Sequence, residues 1–381
     1  MTLRILCISF SDINADSRVL RQVKTLAECG SVTTVSYGSA PPRATTHLEV
    51  DSALPSLPQT VTGVIGLALR RFSTAGQQAP AVQRARELIG ERQFDLVVAN
   101  EARALPLAHA VAGPAPVLGD MHEWAPEERS HVLSWKLLVK PYMTWVCRTY
   151  LPLSAGVITV NDSIARLYTE RFGCPVEVVR NAGPLRALEP SAMLPGRIRL
   201  VHSGAAVPGR NLEGMIEAVK MLDERFSLDL YLVKARDGGK YWESLRAAAG
   251  TLDRITFHDA VAPDELPATL NGYDVGVFSL PPRTTNHALM LPNKFFDFVQ
   301  ARLAIVFSPS PETSRLIQDH QLGAVTQGFT ADDLARTLSA LTEDEVSQFK
   351  RNAHIAAPEL SSATDEAVMR AVVERLIAPR T

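Results

Sequence analysis

Cysteine is scarce in this chain. Cys7, Cys29, Cys147 and Cys174 are the only four among 381 residues. None forms a CxxC pair or stands near a histidine at metal-ligand spacing, so neither a disulfide framework nor a zinc site is expected. Reduced thiols in a cytoplasmic setting are the economical reading. An excess of either charge is also missing. Lysine and arginine total 39 against 41 acids, a net charge of −2, which leaves no electrostatic footprint for nucleic acid. No apolar run reaches the roughly 18 residues that cross a bilayer. The nearest, 61–69 and 132–146, are too short or are broken by Lys136, Lys140 and Pro141. The chain opens straight into a strand-like run, Ile5–Ile8, with no cleavable leader pattern. Walker and GxGxxG loops are absent, and no Asp-x-Asp follows a strand, so no metal is inferred.

What is present is a repeated alternation of strand and helix, in a chain long enough for two domains. Apolar residues at 19, 20, 23, 26 and 27 trace one helical face after the strand Leu3–Ile8, and Gly30 ends that helix. Strand patterns recur near 32–37, 94–99, 116–119, 156–160 and 176–179. A stretch rich in proline and glycine, 181–196, then reads as a linker. The alternation restarts at 197–202 and runs on through strands near 228–233, 254–257, 274–278, 303–307 and 323–325. This predicts an α/β fold of two doubly wound, Rossmann-like halves with parallel sheets and a cleft between them. The domains are expected at 1–183 and 184–364. Segment 39–80 is poorly determined, apart from a helix over 61–72.

The stretch Ala288-Leu-Met-Leu-Pro-Asn-Lys-Phe-Phe-Asp297 carries the strongest chemical signal. Leu291-Pro292-Asn293 suits a helix start, where proline's missing N–H costs nothing. Lys294 and Asp297 then project from one side of the first turn. A lysine beside free helix N–H groups suits a phosphate, and a carboxylate one turn on suits sugar hydroxyls. Loop 203–211 is the second element, with Gly204 and Gly209 for close backbone approach and Arg210 for a bidentate grip. Convergence of Arg210 and Lys294 on one sheet edge would cradle a diphosphate. In the first half, Asp120-Met-His122-Glu123 ends a strand and would face the cleft. Asn14, Asp16, Arg18 and Glu101 sit in loops on the same side, although helix capping by Asn14 or Asp16 serves equally well. The basic amphipathic pieces 61–71 and 135–148 either pack on the first domain or rest on an anionic membrane.

The order of these motifs resembles the GT-B glycosyltransferases, in particular the retaining family-four branch that builds bacterial polysaccharides and glycolipids. The resemblance rests on Asp16-Ser-Arg-Val19, Asp120-Met-His-Glu123, Val157-Ile-Thr-Val-Asn161, Val178-Val-Arg-Asn181, the His202–Asn211 loop, Tyr273-Asp-Val-Gly-Val277 and Leu291-Pro-Asn-Lys-Phe-Phe-Asp297. It implies a nucleotide-sugar donor on the second domain and a glycan, lipid-linked or small-molecule acceptor on the first. Arg210 and Lys294 would take the diphosphate, aided by Gly204 and Asn293, and Asp297 the ribose. His122, with Asp120 and Glu123, would lie near the transferred sugar. It also implies retention without a metal or further cofactor, a cytoplasmic enzyme with possible contact at the membrane's inner face, and a final helix, 365–381, crossing back to the first domain. Two positions depart from the family. Leu289 replaces the first acid of a paired-glutamate motif, leaving Asn286 and His287 as substitutes, and Ala205 replaces a loop arginine. The alternatives are a nucleotide-sugar epimerase of the same fold or a non-catalytic nucleotide-sugar-binding subunit.

Overall fold

The computed structural model describes residues 2–130, 132–234 and 238–378. It divides into two compact units. One runs to Arg180 and takes in Thr284–Asn286 and the chain from Asp365 on; the other holds Asn181–Arg283 and His287–Thr364.

The first unit is built on seven strands: β1 (Leu3–Asp12), β2 (Gly30–Tyr37), β3 (Thr46–Val50), β4 (Leu96–Asn100), β5 (Val117–Met121), β6 (Gly156–Thr159) and β7 (Glu177–Val178). All pair in parallel, in the order β3-β2-β1-β4-β5-β6-β7. Strands β4 and β5 are buried throughout, as expected where helices cover both faces of a parallel sheet. Ile5, Cys7, Leu96, Val98, Leu118 and Ile158 form a core with Val19, Val23 and Leu26 of the helix Ser17–Cys29. Met369, Val372 and Val373 of the last helix, Ser362–Ile377, complete that core. The helix expected over 61–72 is broken in two, Val61–Ala68 and Phe72–Gln77. Arg70 takes a left-handed conformation, φ 59°, which a continuing helix cannot accommodate.

Six strands form the second unit: β8 (Ile198–Ala206), β9 (Phe226–Lys234), β10 (Ile255–Asp259), β11 (Val275–Phe278), β12 (Ala304–Phe307) and β13 (Gly323–Val325). They too are parallel, ordered β10-β9-β8-β11-β12-β13. The apolar run after the lysine-bearing helix is β12, an interior strand that is wholly buried. Asp274, at the foot of β11, is fully buried between Arg199 Nε at 2.9 Å and Lys350 Nζ at 3.1 Å. This ion triad joins β8, β11 and the helix Glu343–Ala356.

Each sheet reverses its winding once, between β1 and β4 in the first unit and between β8 and β11 in the second. Ligands in open parallel sheets bind beyond the carboxyl ends of strands at such a switch point. The candidate side chains therefore have to be sought at two places: around residues 9–12 and 100–101, and around 202–206 and 278–279.

Candidate functional site

At the second unit's switch point, three side chains from three elements meet. His202 comes from β8, Phe278 ends β11, and Lys294 sits in the first turn of the helix Asn293–Gln300. That helix begins at Asn293, with Pro292 as an extended cap residue. Lys294 Nζ lies 3.3 Å from His202 Nε2 and 4.2 Å from the centre of the Phe278 ring. Only 8% of the lysine is exposed. Burial, and then the charge of Arg210, pull its ammonium down to about 7, against a smaller opposing pull from Asp297. A buried cation repelled by a second cation gains from any anion that joins it.

The loop above explains how the lysine reaches this place. Gly204 holds φ 151°, and a methyl group there would stand 3.3 Å from Lys294 Nζ. Gly209, at φ 87°, faces Arg283 in the same way: a methyl group there would meet Nη1 at 2.9 Å. Asn211 is left-handed and donates from Nδ2 to Ser279 Oγ at 3.1 Å and to the Phe329 carbonyl at 3.2 Å, tying the loop to β11's end. Arg210 and Arg283 are exposed, and among the described residues neither guanidinium makes a hydrogen bond or ion pair. Asp297 is half-buried on the lysine's own helix. Asn293 is exposed and accepts from Asn181 Nδ2 at 2.7 Å.

The first unit's polar centre is a chain of buried groups. Arg18 grips Asp120 through Nη2 at 2.6 Å and Nε at 3.0 Å, and donates through Nη1 to the Val179 carbonyl at 2.6 Å. Gln22, one turn after Arg18, donates to Asp120 Oδ2 at 2.7 Å and accepts from Asn100 Nδ2 at 2.9 Å. Asn100 Oδ1 in turn meets His122 Nε2 at 3.2 Å. His122 is half-buried, with Asp120 Oδ2 at 3.7 Å and Glu101 Oε1 at 4.0 Å. Beyond it Arg103 bridges Glu101 at 2.6 Å and Glu128 at 3.1 Å. Glu123 shares this acidic neighbourhood; burial first, then Glu128 and Glu101, push its carboxyl up to about 7. Among the described residues no group of three His, Cys, Asp or Glu side chains is placed to hold a metal ion.

This geometry gives each of the other sequence candidates its own place and partners. Arg18 and Asp120 are buried against each other, 6% and 1% exposed, and serve as a structural pair that supports His122 from behind. Asp16 accepts from the backbone N–H groups of Arg18 and Val19, so its carboxylate caps the helix. Asn14 donates to the Ser39 carbonyl at 2.9 Å. Asn286 belongs to the first unit, where its amide brackets the Trp124 backbone, accepting from N–H at 2.7 Å and donating to C=O at 3.2 Å. His287 is half-buried in the short helix Thr285–Ala288. Glu101 takes a strained φ of 64° and pairs with Arg103. Sequence reading passed over His202, Phe278, Arg283, Gln22 and Asn100. Gln22 was signalled by its place four residues after Arg18, whereas His202, inside β8, carried no such signal.

The comparisons agree with this architecture. A family model described as Glycosyltransferase Family 4 matches residues 17–183, and one described as Glycosyl transferases group 1 matches 197–344. A GDP-mannose-dependent alpha-(1-6)-phosphatidylinositol monomannoside mannosyltransferase of Mycobacterium tuberculosis is 27% identical over 299 residues, covering 72% of this chain and 74% of the relative. Among solved structures, Anabaena HepE in complex with UDP-glucose superposes with a TM-score of 0.70 at 14% identity, over 98% of this chain and 100% of that one. A glycosyltransferase from Rickettsia africae gives 0.70 at 12% identity over the whole of both chains. WaaG, a glycosyltransferase of lipopolysaccharide biosynthesis, gives 0.68 at 11% identity over 97% of this chain and 99% of that one.

Two parallel Rossmann-like units carrying these matches define a glycosyltransferase of the GT-B fold. Within that class the chain is a family-four-like enzyme.

Proposed function

We propose that the chain transfers a sugar from a nucleotide-diphosphate sugar to an acceptor hydroxyl, with retention and without a metal. The observation that carries this reading is Lys294. It is a buried ammonium at the carboxyl ends of β8 and β11, with no carboxylate within ion-pair distance among the described residues. Arg210 and Arg283 bring two further cations on neighbouring loops. Diphosphate leaving groups need positive charge where their own charge develops, and preorganised cations in a desolvated site supply it. Asp297, one turn from Lys294, suits the ribose hydroxyls. The UDP-glucose bound by HepE and the GDP-mannose used by the mycobacterial relative are donors of this class. His122 and the raised carboxyl of Glu123 are the acceptor-side groups suited to orienting a hydroxyl and handling its proton.

The test is a thermal-shift panel of nucleotide sugars, because a ligand bound by the native state alone raises stability by mass action. Lys294→Ala and Arg210→Ala are expected to abolish or sharply reduce the shift, with the ligand-free midpoint nearly kept for Arg210→Ala. Product anomers read by NMR decide retention, and activity in the presence of a chelator decides metal dependence.

The acceptor side also suits contact with an anionic membrane. Val61, Ile65 and Leu69 are exposed around the helix Val61–Ala68, which packs on the π-helical turn Trp135–Val139, where Leu137 is exposed too. Beside them lies a groove of about 570 Å³ with Phe72, Pro141 and Trp145 as apolar wall and Lys136 and Arg148 as cationic rim, while Lys140 on the same rim pairs with Glu127. No helix among the described residues is long and apolar enough to cross a membrane. An apolar patch rimmed by lysine and arginine binds anionic interfaces. Co-sedimentation with phosphatidylglycerol vesicles but not with phosphatidylcholine vesicles is the expected result; equal binding to both, or to neither, would remove this part of the reading.

A further inference from the structure

Lys294 is held by an uncommon set of neighbours. A buried ammonium is ordinarily neutralised by a carboxylate. Here its close contacts are the face of Phe278 and one imidazole nitrogen. That imidazole is itself fixed at its far side: His202 Nδ1 lies 2.9 Å from the Val277 carbonyl, which can only accept. Nδ1 therefore carries the proton, and Nε2 offers its lone pair to the lysine. The ring lies nearly parallel to Phe278, at 12° with centres 6.1 Å apart, and its bond to the Val277 carbonyl fixes its orientation. His202 is 1% exposed.

We propose that His202 is a positioning residue of the donor site: as the Nδ1–H tautomer it accepts from Lys294 and aims the ammonium's remaining protons past Gly204 at a phosphate oxygen. The inference rests on the nucleotide-sugar reading and deepens it. A lysine stem has four rotatable bonds, and an ammonium has three protons. Spending one proton on a fixed acceptor leaves two for the ligand and removes the freedom that phosphate binding would otherwise have to freeze. A carboxylate in place of His202 would neutralise the lysine and compete with the phosphate. A neutral acceptor orients without competing.

The charged groups facing this lysine set a second consequence. Arg210 from the loop and Asp297 from its own helix act on it at longer range, while His202 and Phe278 touch it. Burial, then the lysine's charge, hold His202 well below the ordinary histidine range, so the ring stays neutral. A lysine lowered to about 7 would be largely neutral in the free protein near pH 8, and an arriving diphosphate would restore its proton. Donor binding then takes up a fraction of a proton from the buffer.

The experiment is calorimetric titration of UDP-glucose and GDP-mannose, whose diphosphates do not titrate near neutrality, in buffers of differing ionisation enthalpy at about pH 8. Wild type is expected to bind one of them with net proton uptake. His202→Phe keeps the ring but loses the acceptor; affinity is expected to fall about tenfold or more, as for loss of a charge-assisted hydrogen bond, with altered uptake. His202→Gln, whose amide oxygen can accept, is expected to recover part of the loss. Equal affinity and uptake in wild type and His202→Phe, or identical behaviour of the two variants, overturns the role of His202 while leaving the donor site standing. Failure of both nucleotide sugars to bind wild type overturns the donor reading and His202's role with it. Nitrogen NMR of the wild type is independent of how the variants fold: a neutral Nδ1–H ring from about pH 6 to 9 is expected, and an Nε2–H ring refutes the proposal.

Discussion

Arg18 and Asp120, 102 positions apart in the chain, close on each other in a buried fork with contacts of 2.6 and 3.0 Å. The pair ties the first helix to β5 and sets the floor beneath His122. Arg18→Ala would leave the Asp120 carboxylate buried with Gln22 as its remaining close donor. Stranding one charge of a buried pair costs about 3–5 kcal/mol, so the urea midpoint is expected to fall steeply. The double variant Arg18→Met, Asp120→Leu should regain much of that loss, since apolar replacement of both partners removes the desolvation penalty. A single variant of wild-type stability would show that the pair is not holding the fold.

Glu123 gives a pH dependence of defined sign. Its carboxyl is pushed from an ordinary 4.5 to about 7 by burial and by Glu128 and Glu101. The native state therefore keeps a proton that the unfolded chain releases between those two values. Stability conferred by the protonated form is present at the acid end and is lost as pH rises toward 7. The total is about 3 kcal/mol, since a tenfold change in proton affinity corresponds to roughly 1.4 kcal/mol. Glu123→Gln should be more stable than wild type at pH 8 and little different at about pH 4.5. Parallel stability curves for the two proteins across that range would contradict the burial of this carboxylate.

The fold was largely legible because its cause is local. Branched apolar runs such as those at 96–100 and 304–307 separated by amphipathic helices specify buried parallel strands, and both sheets follow from that rhythm. The site was legible only in part. Lys294 and Arg210 advertise themselves by sitting at helix starts. Which candidates remain available for ligand depends on long-range pairing that sequence spacing does not encode. Arg18 is taken by Asp120, Asp16 by its own helix cap, and Asn286 by the backbone of Trp124. His202 was hidden for the opposite reason. A histidine inside an apolar strand reads as core until β11 and Lys294 are laid beside it.

His122 should separate donor binding from transfer. It belongs to the first unit, hydrogen-bonded to Asn100 at 3.2 Å and half-buried just past the end of β5. His122→Ala is expected to leave nucleotide-sugar affinity within about twofold and to lower kcat by about 10²–10⁴, the usual range for a positioned acid or base. The check is donor affinity by calorimetry beside release of nucleoside diphosphate with acceptor present. Wild-type turnover in this variant would remove His122 from the reaction. A matching fall in donor affinity would instead move it to the donor side.

Gly204 offers the sharpest steric test of the donor site. Its φ of 151° is costly for any residue with a side chain, by about 1–3 kcal/mol. The methyl of Gly204→Ala would also stand 3.3 Å from Lys294 Nζ, which His202 and Phe278 prevent from moving away. Gly209→Ala meets a similar backbone penalty at φ 87°, but its methyl would push only the exposed end of Arg283. Both variants are therefore expected to lower the unfolding midpoint by comparable amounts. Donor affinity should separate them: Gly204→Ala loses about tenfold or more because the ammonium is displaced from a buried phosphate contact, while Gly209→Ala loses severalfold at most. Equal losses of affinity would mean that the loop backbone as a whole, and not the lysine beneath Gly204, determines how the diphosphate is held.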